Sequence, residues 1–191
     1  LSLHDALPIY FETEAGYEGD IEKFGSSSIS LTARTLSKEC FDAIIENAYS
    51  AVNAVENNEV NESLEKVIEA IIYLSCVGFE NGSLAAAHSI ANSLSTISKY
   101  NNFMHGEKVA FGTVVQLILE NKDAHLIDKV KELYKKIDLP YNMKQIGIED
   151  EEELYQIAKR ACEKDQPINR MKKIFAHEDK VKSAIKFTEN L

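Results

Sequence analysis

The sequence predicts an all-α protein, a helical bundle of about seven helices. Three observations carry that expectation. Glycine (8) and proline (3) are scarce over 191 residues, so few tight turns can be built. Apolar residues recur at three- and four-residue intervals over long stretches, the period of a helix buried on one face. No stretch shows convincing strand alternation. With 45% hydrophobic and 27% charged residues, the chain can bury a core of its own and reads as folded rather than disordered.

In chain order, residues 6–15, ALPIYFETEA, suit a short helix. Residues 16–31 carry three glycines and a serine cluster and read as a loop. From Thr35 to about Glu56, Leu36, Cys40, Ala43, Ile44, Ala48, Ala51, Val52 and Val55 mark a helix. A second runs from about Glu62 to Val77, with Leu64, Val67, Ile68, Ile71, Ile72 and Cys76 on one face. After Asn81-Gly82-Ser83 comes LAAAHSIANSLSTI (84–97), apolar and small on most sides, then a loop at 98–104. HGEKVAFGTVVQLILEN (105–121) is almost wholly apolar after its first turn. These two helices belong at the centre of the bundle. Helices near 123–137, 150–164 and 177–190 are amphipathic and outer, the first stopped before Pro140.

Charge and cysteine content exclude several function classes. Asp and Glu (31) outnumber Lys and Arg (21), a net charge of −10. Nucleic acid and anionic membrane surfaces both want a basic face and are not expected partners. Cys40, Cys76 and Cys162 are odd in number and far apart, with no CxxC, so neither a disulfide framework nor a zinc ribbon is indicated. A reduced, cytoplasmic setting fits. No apolar run reaches membrane-spanning length, and no secretory signal is evident. GxSxG, Walker A and GxGxxG patterns are all missing, so no nucleotide loop is evident in this chain. Leu1 opens the chain in mid-element, which reads as a piece of a longer protein.

Candidate chemistry centres on histidine. His125 and His177 fall on charged stretches and read as surface residues. His88 lies inside the most apolar helix and His105 opens the next. From near the facing ends of consecutive buried helices, two such imidazoles can converge on one point. Neutral imidazole is a common metal ligand, and a catalytic zinc takes three protein ligands and keeps one position open. The alternative, two hydrogen-bonded core histidines, stays open on spacing alone. Cys76 reads as a structural thiol, Glu107 as a residue favoured at a helix N-terminus, and Lys108 as solvated.

The strings VGFENGSLAAAHSIANSL (77–94) and MHGEKVAFGTVVQLILEN (104–121) closely resemble the C-terminal domain of the glycerol dehydrogenases, in the iron-containing alcohol dehydrogenase superfamily that also holds dehydroquinate synthase. The resemblance runs from about Asp5 to the C-terminus. It implies the helical metal-binding domain of that fold, with the NAD-binding α/β domain lying outside this chain. It further implies that His88 and His105 are two ligands of a divalent ion, Zn2+ or another metal such as Fe2+. Asp5, ahead of Tyr10-Phe11-Glu12, is implied as the third ligand. Phe79 matches the family phenylalanine near the substrate. The implied reaction is NAD-dependent oxidation of glycerol to dihydroxyacetone, the metal activating the hydroxyl for hydride transfer, in an enzyme expected to be a homo-oligomer. The family has glycine before its aspartate and a small residue three after it, where this sequence has His4 and Pro8. Residues 1–9 therefore have two readings: the native ligand segment, or a non-native leader ahead of a domain at 10–191, in which Asp5 imitates the ligand. Alternative functions are another metal-dependent polyol or alcohol dehydrogenase of the superfamily, or a non-catalytic helical interaction domain.

Overall fold

A computed structural model describes residues 6–17, 29–80, 82–171 and 176–191. Among the described residues every regular element is helical, as the sparse glycine and proline predict. The α-helices are α1 (Pro8–Tyr17), α2 (Leu31–Glu56), α3 (Glu62–Glu69), α4 (Ser75–Glu80), α5 (Ala86–Ser95), α6 (His105–Leu119), α7 (Ala124–Lys136), α8 (Met143–Ile146), α9 (Glu151–Ala161) and α10 (Glu178–Phe187). None of these is long and apolar enough to cross a membrane.

Local chemistry sets most boundaries. Helix α2 starts at Leu31, four residues ahead of the expected Thr35, because Ser30 caps it: its Oγ accepts from Ala33 N at 3.1 Å. Asn61, Asn142 and Asp150 cap α3, α8 and α9 in the same way. Helix α8 ends on Gly147, whose φ of +84° is the left-handed conformation glycine adopts without steric cost. Periodicity alone missed the four-residue α8, which presents too few apolar positions to register.

The expected helix 62–77 is one path but not one helix. A π-helical turn, Ala70–Leu74, joins α3 to α4. Its wider winding slips the 3.6-residue stripe. Val67, Ala70 and Ser75 are buried, while Ile68 and Ile72, expected on the same inward face, are 46% and 52% exposed.

Among the described residues the buried apolar side chains form two large clusters with α6 between them, and a third, small one. Phe111 and Val115 face Ile90, Leu94, Leu154, Ile157, Val181 and Ile185. Ala110, Val114 and Leu117 face Phe11, Phe41, Ile44, Val130 and Tyr134. A helix apolar on every side has to lie at the centre, as expected for 105–121. Its contact with α5 is a seam of small residues, Ala87, Ala91 and Val109. Gly112 is what allows that approach. A Cβ there would lie 3.0 Å from the Ala87 carbonyl carbon, 3.1 Å from its Cα and closer still to its oxygen.

Candidate metal centre

The sequence entering α5, SLAAAH, offers its helix no side-chain cap, and the structure shows none from Ala85. Uncapped N–H groups in a protein interior need partners from elsewhere. They find them across the fold. Glu12 of α1 turns one carboxylate oxygen, Oε1, to Ala85 N at 2.9 Å and His88 N at 3.0 Å. Gln116 of α6 accepts from Ala87 N at 3.0 Å. Both Glu12 and Gln116 are fully buried. A buried carboxylate is costly unless hydrogen-bonded, and the positive end of α5 is where an anion is best placed.

The second oxygen of Glu12 meets the imidazole. Oε2 lies 2.6 Å from His88 Nδ1, and the His88 side chain is only 13% exposed. Helix α6 brings His105, at its first residue, to His88: the ring centroids stand 5.6 Å apart with planes at 49°. This spacing can be tested against a metal. A Zn–N bond of about 2.1 Å puts the ion about 3.2 Å from a ring centre, so two tetrahedral histidine ligands have centroids about 5.3 Å apart. The observed pair is within a few tenths of an ångström of that value. His88 also has a carboxylate on Nδ1, leaving Nε2 at the other side of the ring, the usual outer arrangement of a ligating histidine. The ring spacing is therefore compatible with two histidines sharing one divalent ion. Among the described residues no group of three His, Cys, Asp or Glu is close enough to hold one. Asp5, the expected third ligand, lies outside the described residues.

Other candidates sort by their surroundings. Phe79, in the last turn of α4, is 45% exposed and is not part of the histidine pair. Glu107 acts at the α6 N-terminus as expected, its Oε2 accepting from Met104 N at 2.6 Å. Lys108 departs from the solvated reading. It is only 6% exposed and its Nζ donates to Ser95 Oγ at 3.1 Å, because its position on α6 faces α5 rather than water. His125 is exposed. His177 has a structural task, its Nδ1 accepting from Asp179 N to cap α10. Periodicity passed over Glu12 and Gln116. The available signal was a pair of glutamates, Glu12 and Glu14, closing the apolar run LPIYF, and a glutamine inside VVQLIL.

The comparisons agree with this architecture. No protein-family model matches the chain. The glycerol dehydrogenase of Thermotoga maritima is 35% identical over 167 residues, covering 86% of this chain and 46% of that protein. A probable glycerol dehydrogenase from Sinorhizobium meliloti superposes with a TM-score of 0.90 at 29% identity, covering 99% of this chain and 55% of the other. The structure of the Schizosaccharomyces pombe glycerol dehydrogenase gives 0.89 at 32% identity, covering 98% and 49%. The chain thus spans about half the length of the curated relatives it matches.

Proposed function

The chain belongs to the glycerol dehydrogenase family of the iron-containing alcohol dehydrogenases, and on that premise we propose that it is the metal-carrying helical half of an NAD-dependent glycerol dehydrogenase that oxidises glycerol to dihydroxyacetone. The observation that carries this reading is the His88–His105 pair, with rings 5.6 Å apart and Glu12 behind His88. His88 and His105 would hold the ion, zinc or another divalent metal, with Asp5 as third ligand. When bound, such an ion supplies Lewis acidity that lowers the pKa of an alcohol hydroxyl. The chain's own residues do the positioning. His88 is held by Glu12 and by the buried N-terminus of α5. His105 is the exposed first residue of α6, and the later turns of that helix pack into both large apolar clusters, so the direction in which it leaves the bundle is set by a buried helix. Phe79, partly exposed, is suited to lie against the carbon skeleton of a small polyol.

The nicotinamide cofactor is assigned to a nucleotide-binding domain of the full-length enzyme, because this sequence has no glycine-rich pyrophosphate loop. The full-length enzyme is proposed to be a cytoplasmic homo-oligomer. Metal analysis tests the central claim. The purified chain, dialysed against zinc and then buffer, is expected to retain about one equivalent, and His88→Ala and His105→Ala to retain far less. A chain that keeps no zinc, or a His88→Ala variant that keeps the full amount, would overturn the reading. Calorimetry is expected to show no NAD binding to the 191-residue chain, and tight binding would refute the assignment of the cofactor to another domain.

A further inference from the structure

We propose that Glu12 is a positioning residue that fixes the tautomer of His88, holding the proton on Nδ1 and keeping Nε2 unprotonated for a metal. The proposal rests on the metal reading above for its purpose, but not for its geometry. That geometry is specific. One buried carboxylate is shared between two jobs that need the same charge state. Oε1 accepts from two backbone N–H groups, Ala85 and His88. Two backbone N–H groups converging on one oxygen at a helix N-terminus make a place suited to negative charge. The other oxygen, Oε2, is then an acceptor too, and the 2.6 Å contact to Nδ1 has to be filled by an imidazole N–H. A neutral imidazole with its proton on Nδ1 presents Nε2 as a lone pair. The backbone N–H of His88 and the ring of the same residue are thereby tied to one carboxylate, so turning the ring gives up the Oε2 contact while the helix end stays held by Oε1. The link spans 76 residues of sequence and joins α1 to α5. Glu12 is fully buried, so water does not compete for these contacts.

Glu12→Gln separates this role from simple capping. The amide oxygen of Gln can still accept from Ala85 N and His88 N, so the cap survives. Its NH2 then faces Nδ1 and can only donate, which forces the ring proton to Nε2. The experiment is 15N–1H correlation of the imidazole rings in the metal-free chain at pH 8.5, with the His88 signals assigned by their loss in His88→Gln. In the wild type we expect His88 as the Nδ1–H tautomer, and in Glu12→Gln as the Nε2–H tautomer. Zinc affinity, measured by competition with a chromophoric chelator, is expected to fall about 10- to 100-fold, with the far-ultraviolet circular dichroism of the variant unchanged. A wild-type His88 found as Nε2–H, or averaging between tautomers, overturns the proposal whether or not Glu12→Gln folds. So does a folded Glu12→Gln whose His88 keeps the wild-type tautomer. Should the tautomer invert while the wild-type chain binds no zinc, the Glu12 role stands and the metal reading falls.

Discussion

Replacing Gly112 by alanine sets two known effects against each other at the α5–α6 seam. Within a helix, glycine to alanine gains about 1 kcal/mol from backbone entropy. Against that, the new methyl would lie 3.0 Å from the Ala87 carbonyl carbon and 3.1 Å from its Cα, with the carbonyl oxygen nearer still. Ordinary carbon–carbon contact is about 3.5–4.0 Å, so the helices have to part by about 0.5–1 Å. The obstructing atoms are backbone and cannot rotate away. The cost should reach the upper part of the 1–3 kcal/mol range for overpacking, leaving a net loss of about 2 kcal/mol. For a chain of this size that lowers the melting temperature by about 4–8 °C. Ala87 adjoins His88, and metal sites tolerate errors of about 0.2 Å, so the zinc affinity proposed for the His88–His105 pair should fall as well. Thermal unfolding followed at 222 nm, paired with a zinc competition titration, reads both. An unchanged or higher melting temperature would show that the seam yields easily, and the argument that close packing fixes the histidine spacing would be wrong.

Further expectations concern the backbone and pH. Gly147→Ala meets no atom within 4 Å, so only its φ of +84° opposes it; a loss of about 1–2 kcal/mol is expected from the unfolding midpoint, and Gly147→Asn should lose less. Burial pushes the Cys40 thiol from 9.0 up to about 12, where its Sγ lies 3.5 Å from the Ala70 carbonyl and 3.6 Å from that of Ala6. The folded value is above the unfolded one, so this contribution is complete below pH 9 and is lost as pH rises towards 12. Urea midpoints should therefore fall above pH 9, less steeply in Cys40→Ala. Buried Tyr134, also shifted upwards by burial, adds to the slope above its ordinary value of 10.0. A thiol reagent at pH 8 should leave Cys40 unmodified until denaturant is added; rapid labelling of the native chain would contradict its burial.

Residue spacing alone determined the helical class, the central place of 84–97 and 105–121, and most helix boundaries, because period and capping are local properties of the chain. The family strings singled out His88 and His105. What periodicity could not yield was the π turn at Ala70–Leu74, which carries Ile72 on its exposed side, the exposure of Ile68 one turn earlier, or the burial of Lys108. Those outcomes depend on which neighbour each face meets. The same holds for Glu12. Its sequence position shows only an acid in an apolar helix, and nothing local links it to a histidine 76 residues away. Folding created that link because the buried N-terminus of α5 had unsatisfied N–H groups and no side chain of its own to meet them. A hydrogen-bonding deficit in one segment was met by a carboxylate from another, a pairing that exists only once the chain has packed.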